Sequence, residues 1–385
     1  MEFSHKPALR IGIAGAGLLG RLLAWRLAQA GHRVSVFDPA ASEQPVPRSQ
    51  ATEPYVPTAA GFTAAGMLSP LSELDNAEPA VAALGWPSLA LWPRIAAMLP
   101  GVPKVAVHGS LLLAHRADLG TAQRVLDRLR TGMAAPEWRR LSPPEGVQAI
   151  DAKALRELEP AIQGPAQAWL LPGEGFIDTV GVMLALHAGA PTVDWHWRCP
   201  VLAVDGGAQG GTLRLADGRV LAFDAVIDVR GVGAKPDLSV RGVRGEVIWL
   251  HAPGHGLTRS VRLLHPRHRV YIVPRTDADV LVGASEIESE DRSPVSLRTA
   301  VELMAAAHSV LPALAEARIL KMDVNLRPAL PDNRPLVEHA GRLLRINGLF
   351  RHGWLLVPAL VDQALRQTGW CDGLVDVSPG MEPSA

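Results

Sequence analysis

The chain has 385 residues, 48% of which are hydrophobic, and it carries 38 basic and 38 acidic side chains. This length predicts two domains, and the zero net charge argues against nucleic acid as a partner. The two cysteines, Cys199 and Cys371, form no C-x-x-C pair, so neither a disulfide framework nor a metal site is expected. The N-terminal residues show no signal-peptide pattern and no apolar run reaches ~18 residues, which predicts a cytoplasmic protein without a transmembrane segment.

The first predicted unit is a strand, a helix and a second strand that together occupy residues 9–38. The second strand ends at Asp38. A G-x-G-x-x-G triplet stands between the first strand and the helix, at Gly15, Gly17 and Gly20. This order is typical of a βαβ site for a dinucleotide.

Each part of this unit has a physical task in dinucleotide binding. Gly15 permits the tight turn, Gly17 lets the backbone approach a pyrophosphate, and Gly20 lets the helix pack closely on the strand. The helix N-terminus offers N–H groups and a partial positive charge to the phosphates. Asp38 follows the triplet by ~20 residues, where a carboxylate binds ribose hydroxyls. The motif does not distinguish NAD from FAD.

Two contrasting stretches follow the βαβ unit. Residues 39–62 are rich in proline and polar side chains, which predicts a mobile surface loop. Residues 61–68, GFTAAGML, are mostly small, and small side chains let a backbone lie flat against a ligand. The same run also suits the start of an alanine-rich helix.

The middle of the chain alternates between helical and extended patterns. The predicted helices cover 77–100, 121–130, 151–158, 179–187 and 296–311. The predicted strands cover 105–114, 168–171, 193–204, 211–215, 223–229, 245–251, 270–273 and 280–283. Helices alternate with strands towards both ends of the chain, around mainly β insertions, and this predicts an interrupted doubly wound domain.

A second glycine turn lies near the C-terminus, in INGLFRHGWLLVPAL at 346–360. It places Gly348 and Gly353 between a predicted strand and a helix N-terminus, where backbone N–H groups can meet a flat polar ligand. An NAD dehydrogenase rarely needs such a turn, whereas a flavin must be held along its ring. The turn therefore favours FAD as the cofactor.

Together these motifs resemble those of the D-amino-acid oxidase superfamily of FAD-dependent oxidoreductases, and most closely its glycine oxidase branch. The matching pieces span nearly the whole chain in family order. They are the glycine triplet with Asp38, TAAGML at 63–68, YIVPR at 271–275, LVGAS at 281–285, LRPALPDNRP at 326–335 and NGLFRHGWLLVPAL at 347–360.

The resemblance implies an α/β fold in which a Rossmann-type FAD-binding domain is interrupted by a mainly antiparallel β (α+β) substrate domain. The expected FAD-binding segments are 1–85, 166–235 and 323–385. The expected substrate-domain segments are 86–165 and 236–322.

The resemblance also implies roles for single residues. Lining the flavin or lying near the cofactor would be Ala65, Gly66, Met67, Gly231, Gly348, Arg351, Gly353, Trp354 and Leu355. The backbone of Val201 would meet the adenine end. Tyr271 and Arg327 would hold the substrate carboxylate, which suits their chemistry, because a guanidinium binds a carboxylate bidentately and a tyrosine hydroxyl adds a third hydrogen bond.

Four positions depart from the family pattern. Asp38 stands where flavin members usually carry Glu, and Arg230 stands where a small residue is usual. Asn325 replaces a common Gly, and Leu349 replaces a common His. These departures affect the expected substrate rather than the expected fold.

The implied activity is oxidation of the C–N bond of a small amino acid or secondary amine, in the glycine, sarcosine or D-amino acid class. Hydride passes to flavin N5, the imine hydrolyses to an oxo acid, and O2 or another acceptor takes the electrons. Two alternatives stay open: a FAD-binding protein without amino-acid turnover, and an amine oxidase that acts on a modified RNA or another larger substrate. The oligomeric state is also open, with a homo-oligomer among the expectations.

Overall fold

A computed structural model describes residues 7–45, 58–141, 146–265 and 269–374. Its frame consists of a six-stranded sheet and an eight-stranded sheet, with two smaller sheets beside them. Residues 46–57 of the predicted proline-rich loop lie outside the described residues. Within those ranges, no helix is long and apolar enough to cross a bilayer.

The six-stranded sheet is parallel except for one edge strand. In spatial order, with strands numbered along the chain, it contains β19 (Leu336–Ala340), β20 (Leu343–Asn347), β13 (Ala225–Asp228), β1 (Arg10–Ala14), β2 (Arg33–Phe37) and β9 (Asp194–His196). The antiparallel edge strand is β19. The carboxyl ends of β20, β13, β1 and β2 therefore share one edge of the sheet.

Helices in the described ranges pack on both large sheets. They are α1 (Leu18–Gln29), α2 (Ala60–Thr63), α3 (Pro70–Glu73), α4 (Pro79–Gly85), α5 (Ser88–Ala97), α6 (Leu119–Met133), α7 (Pro136–Arg139), α8 (Ala152–Leu158), α9 (Thr179–Ala188), α10 (Leu297–His308) and α11 (Gly353–Thr368). Short 3₁₀ turns lie at Arg116–Asp118, Gly231–Ala234 and Pro312–Glu316.

Both faces of the six-stranded sheet are buried. Ile11, Ile13 and Ile227 share one core with α1, α9 and α11. Val226, the neighbour of Ile227, points the other way and packs on a three-stranded antiparallel sheet. That sheet consists of β10 (Val201–Gly206), β11 (Gly211–Leu215) and β12 (Val220–Phe223). Burial on both faces explains why the central strands β1 and β13 are largely apolar.

The eight-stranded sheet is antiparallel except for one pair, β15 with β5. In spatial order it contains β18 (Arg318–Ala329), β14 (Arg241–His251), β17 (Asp279–Gly283), β16 (Arg269–Pro274), β15 (Val261–Leu264), β5 (Ser110–Ala114), β7 (Gln167–Leu171) and β6 (Gln148–Ile150). The amphipathic helix α10 covers part of it. Between the two large sheets lies a small one made of β3 (Met67–Leu68), β8 (Gly175–Ile177) and β4 (Val105–Ala106).

The α/β fold class predicted from the sequence is confirmed, with a parallel and a mainly antiparallel sheet. Two elements pack outside the segments in which they were expected. β7 belongs to the eight-stranded sheet although residue 167 was expected in a FAD-binding segment. The helix α5 packs into the core of the six-stranded sheet through Trp92 and Ile95, although this stretch was expected in the substrate domain.

Two predicted strands are wrong, because each is divided between two sheets. Residues 105–114 were expected to form one strand, but they form β4 in the small sheet and β5 in the eight-stranded sheet. Residues 193–204 were expected to form a single strand, but they form β9 and β10, which belong to different sheets. Arg198 lies between them with a positive φ of 55°, and this turn separates the two strands. Both halves are extended and apolar in part, so the sequence pattern alone did not show the break.

Candidate active site

A cavity of about 490 Å³ follows the carboxyl edge of the parallel sheet. Asp38 follows β2, Gly15 follows β1, Gly231 lies beyond β13 and Gly348 follows β20, and all four line the cavity. Neighbouring strands are ~4.8 Å apart, so four strand ends give the cavity a span of roughly 14 Å. Such a groove suits a long ligand that carries polar groups along its length.

The three glycines of the triplet differ in what surrounds them. Gly15 has a φ of 107°, and a Cβ added there would meet the Val229 carbonyl oxygen at 2.6 Å. A Cβ on Gly20 would lie 1.8 Å from the Gly15 oxygen, so α1 packs on the turn only because Gly20 has no side chain. A Cβ on Gly17 would meet only the Ala59 Cβ, at 3.7 Å. Gly17 therefore leaves space that the protein itself does not fill.

The carboxylate of Asp38 is fixed at the end of β2 by two backbone groups. Its Oδ2 accepts a hydrogen bond from the Ala16 N–H at 2.6 Å, and its Oδ1 accepts one from the Ala40 N–H at 2.8 Å. Burial raises the pKa of Asp38, and these hydrogen bonds and Arg21 oppose the rise. An acidic group thus faces the cavity where a ribose was expected.

Two helix N-termini open onto the same cavity. α1 begins directly after Gly17, and α11 begins at Gly353, and both glycines line the cavity. The N–H groups of a first helical turn have no partner within the helix and favour negative charge. Two polar parts of one ligand can therefore be bound at separate helix ends, which fits a FAD molecule.

The predicted site residues fall into two groups. Lining the cavity are Gly15, Gly17, Asp38, Val201, Gly231, Arg327, Gly348, Arg351, Gly353 and Trp354. Outside its lining are Gly20, Ala65, Gly66, Met67, Tyr271 and Leu355. Leu355 instead packs against Gly85, and Gly66 packs against Ile177. Next to Ala65, the residue Ala64 does reach the cavity.

Arg275 holds the small-residue segment, residues 61–68, in place. This role of Arg275 was not predicted from the sequence. Its guanidinium donates to the carbonyl oxygens of Ala64 at 3.1 Å, Ala65 at 2.8 Å and Ile177 at 2.9 Å. Burial lowers its pKa to about 10. The signal was present in the sequence, because Arg275 ends the YIVPR motif that follows the expected substrate tyrosine.

Tyr271 and Arg327 lie side by side, although they come from strands that are distant in sequence. The Arg327 guanidinium donates to the carbonyl oxygens of Arg244 at 3.2 Å and Ser285 at 3.0 Å, and its charge acts on the Tyr271 hydroxyl. Burial raises the pKa of Tyr271. At neutral pH the tyrosine is therefore an uncharged hydroxyl that can donate a hydrogen bond.

Gly283 and Gly245 make room for this pair, and neither was predicted as a site residue. A Cβ on Gly283 would lie 2.5 Å from the Tyr271 ring. A Cβ on Gly245 would lie 2.6 Å from the Arg327 guanidinium carbon. The sequence signal was a glycine inside each strand, which often marks a close approach.

Arg230, the unexpected residue after β13, forms part of the cavity wall. It pairs with Asp228 at 2.8 Å and Asp237 at 2.6 Å, and it donates to the carbonyl oxygens of Val201 and Leu202. Its side chain is 5% exposed. Arg230 thus ties the end of β13 to the start of β10, where the adenine end was expected.

Glu73 links several cations near the site and was also missed. It lies 2.8 Å from Arg351, 3.2 Å from His352 and 3.5 Å from Arg262. Burial acts to raise the pKa of Glu73, but His352, Arg262 and Arg269 outweigh it and lower the pKa to about 2. Glu73 is therefore charged at neutral pH and orients Arg351 along the cavity wall.

The chain is similar to known flavoproteins over nearly its whole length. It matches the family described as DAO, FAD dependent oxidoreductase, over residues 10–362. It is 35% identical to a putative thiamine biosynthesis oxidoreductase, ThiO, of Rhizobium etli, with 93% of this chain and 96% of that protein covered. It is 27% identical to the glycine oxidase of Geobacillus kaustophilus, with 90% and 89% covered. The crystal structure of glycine oxidase from Geobacillus kaustophilus superimposes with a TM-score of 0.74 at 25% identity, over 92% of this chain and 93% of that one.

Proposed function

Because this chain belongs to the DAO family of FAD-dependent oxidoreductases, we propose that it oxidises the C–N bond of a small amino acid or secondary amine. The observation that carries this proposal is the position of Arg327, which lines the cavity that fits FAD and acts electrostatically on the Tyr271 hydroxyl. The name glycine oxidase, which one relative carries, supports glycine as the first substrate to test. Sarcosine and D-amino acids are the other members of the class expected from the sequence.

The residues that would hold FAD follow the order of the strand ends. The N-terminus of α1 at Gly17 would bind the pyrophosphate, Asp38 the ribose, and the Val201 backbone the adenine end. The N-terminus of α11 at Gly353, with Arg351, would bind the polar edge of the ring system. When bound, FAD supplies the electron acceptor for the C–H bond of the substrate.

The substrate carboxylate would be held by Arg327 and Tyr271. Two backbone carbonyls fix the direction of the Arg327 guanidinium without cancelling its charge, so it can still pair with an anion. The neutral Tyr271 hydroxyl would donate a further hydrogen bond. Anchoring the carboxylate in this way fixes the α-carbon relative to the cavity, and orientation of this kind lowers the barrier to reaction.

An anaerobic flavin-bleaching screen tests this function. We expect the purified protein to be yellow and to release FAD, rather than NAD, on denaturation. None of the described residues that line the cavity is Cys, His or Tyr, so FAD should be bound without a covalent bond. Glycine, sarcosine and D-amino acids should then be added under anaerobic conditions and the flavin absorbance followed.

The two parts of the screen separate the alternatives. Loss of the yellow colour with at least one of these amines supports amine oxidation. A protein that holds FAD but is bleached by none of them would instead be a FAD-binding protein without amino-acid turnover, and the proposed function would be withdrawn.

A further inference from the structure

A second cavity, of about 350 Å³, lies beside the proposed substrate site. Tyr271 lines this second cavity, whereas its neighbour Arg327 lines the FAD cavity. The pair therefore stands between the two spaces. The wall of the second cavity is formed by β15, β16 and α6, together with Ser72, Asp75 and Asn76.

Arg262 is the cation of this cavity that lies next to Tyr271. The two residues are directly opposite each other in the antiparallel pair β15–β16, so both side chains stand on the same face of the sheet. The Arg262 side chain is 18% exposed, and its buried Nε meets no acceptor among the described residues. Arg262 and Arg327 thus flank the tyrosine, and both act on its hydroxyl electrostatically.

The other acids around the cavity have partners of their own. Buried Glu174 interacts electrostatically with Arg262, but its oxygens accept hydrogen bonds from Ser72 and Ser110. Asp75 pairs with Arg128 at 2.5 Å. Glu286 lies 3.5 Å from Arg269 and 3.6 Å from Arg351.

Glu73, the acid that contacts Arg262, is itself shared. Its Oε2 lies 2.8 Å from Arg351, and its Oε1 lies 3.5 Å from Arg262. A contact of 3.5 Å is long for a charge-assisted hydrogen bond, which is typically ~2.7–2.9 Å. Arg262 therefore retains donors and positive charge that the protein does not use fully.

We propose that the second cavity is a subsite for a second anionic group of the substrate, with Arg262 as its anchor. This inference rests on the proposed function, because one carboxylate is taken to bind at Arg327 and Tyr271. The substrate is then an amine that carries two acid groups. Side chains opposite each other in a strand pair are ~4.5–5.5 Å apart at Cβ, a spacing that two carboxylates separated by three or four bonds can match.

Two matched pairs of amines test the subsite, and they differ in where the second acid group is attached. Sarcosine is compared with N-(carboxymethyl)glycine, and D-alanine is compared with D-aspartate. The value of kcat/KM is measured for each with the FAD-loaded wild-type protein. In at least one pair, we expect the amine with two carboxylates to be preferred by roughly 30-fold or more.

The variant Arg262→Gln identifies the anchor. We expect kcat/KM for the preferred dicarboxylate to fall by roughly 30-fold or more, and that for its monocarboxylate partner by less than about threefold. Arg262→Lys should recover part of the loss, since an ammonium keeps the charge but not the fork. Arg130→Gln is the control, because it removes one positive charge from the exposed side of α6 outside the cavity.

A ligand-binding measurement covers the case in which Arg262→Gln does not fold. Succinate and propionate are titrated into the wild-type holoenzyme while the flavin spectrum is recorded. We expect succinate to perturb the flavin at a concentration at least ten times lower than propionate does.

The outcomes separate the subsite from the proposed function. Bleaching by monocarboxylate amines without a preference for dicarboxylates, and equal binding of succinate and propionate, would overturn the subsite and leave amine oxidation standing. An equal loss for both substrate types in Arg262→Gln would make Arg262 a structural residue and would also overturn it. If no amine bleaches the flavin, the proposed function fails, and tighter binding of succinate would still show a two-anion site.

Discussion

At the residue scale, backbone carbonyls aim two arginines of the proposed site, Arg327 and Arg275. Arg327 donates to the carbonyls of Arg244 and Ser285, and Arg275 donates to three carbonyls. A carbonyl fixes the direction of a guanidinium but leaves its net charge in place, whereas a carboxylate would cancel that charge. Arg327 is therefore both rigid and able to attract an anion.

The first prediction concerns Arg327. Replacement by Leu should cost about 2–5 kcal/mol, mainly in kcat/KM, because the carboxylate would face an apolar group and lose its orientation. Arg327→Lys should recover only part of this loss. Stopped-flow flavin reduction measures the effect, and flavin absorbance checks that FAD occupancy is unchanged. Near-normal reduction by an acid substrate in flavin-loaded Arg327→Leu would remove Arg327 from the site.

The second prediction concerns the charge of Glu73. Its pKa is about 2 in the folded protein against an ordinary value of 4.5, so its carboxylate stabilises the fold above pH 4.5 and loses this contribution as the pH falls towards 2. Glu73→Gln should therefore be less stable than wild type at pH 6. The difference in free energy of unfolding between wild type and Glu73→Gln should narrow by about 2 kcal/mol between pH ~6 and ~3.

Urea unfolding of both proteins at these two pH values, with FAD in excess, gives the free energies required. Glu316→Gln removes an exposed carboxylate and is the control. A gap between Glu73→Gln and wild type that stays constant with pH would show that the Glu73 carboxylate gains nothing from its cationic neighbours.

At the scale of elements, two strand–turn–helix units meet the FAD cavity, and their glycines serve different ends. The turn itself requires glycine at positions 15 and 20, because a side chain on Gly15 or Gly20 would strike backbone atoms. A side chain on Gly17 would strike no backbone atom of the protein. The geometry therefore separates glycines that folding needs from a glycine that only the ligand needs.

The third prediction follows from this separation. Gly17→Val should fold normally and lose FAD, because its side chain would fill the space kept for the pyrophosphate. Gly20→Ala should lower stability as well, since its Cβ would meet the Gly15 oxygen. Circular dichroism reports folding and flavin absorbance reports occupancy. A folded Gly17→Val protein with full flavin occupancy would refute the assignment of this turn.

At the scale of the whole molecule, the two large sheets are joined through the small-residue segment. Arg275 lies just beyond β16 of the eight-stranded sheet, and its guanidinium bonds to Ala64 and Ala65. Asn325 in β18 donates to Thr58 and Thr63 of the same region. The segment beside the FAD cavity is thus held by the sheet that carries Tyr271.

The fourth prediction tests this link. Arg275→Met should remove a donor from the Ala64, Ala65 and Ile177 carbonyls, of which the last two are buried. Each unsatisfied buried group costs about 1–3 kcal/mol. We expect a lower melting temperature and a weaker FAD affinity, measured by thermal unfolding and by flavin titration. Arg219→Met, which alters an exposed hairpin pair with Asp217, is the control. Unchanged FAD affinity in Arg275→Met would show that the segment is positioned without this arginine.

The sequence by itself determined the parts of this protein that depend on neighbouring residues. The glycine triplet with Asp38 and the second turn at Gly348 were predicted because a tight turn, a helix start and a strand period are local properties. The α/β fold class followed from the order of these units, because strands that alternate with helices favour a parallel sheet.

Only the tertiary structure decided which distant residues meet. The resemblance implied that Tyr271 and Arg327 share one substrate group, but it is the adjacency of β16, β17, β14 and β18 in one sheet that brings them together. Neither this strand order nor its register can be read from a single sequence. The roles of Gly245, Gly283, Arg275 and Glu73 likewise appear only when separate strands come together. Local φ and ψ preferences act within a few residues, whereas these contacts depend on the packing of the whole chain.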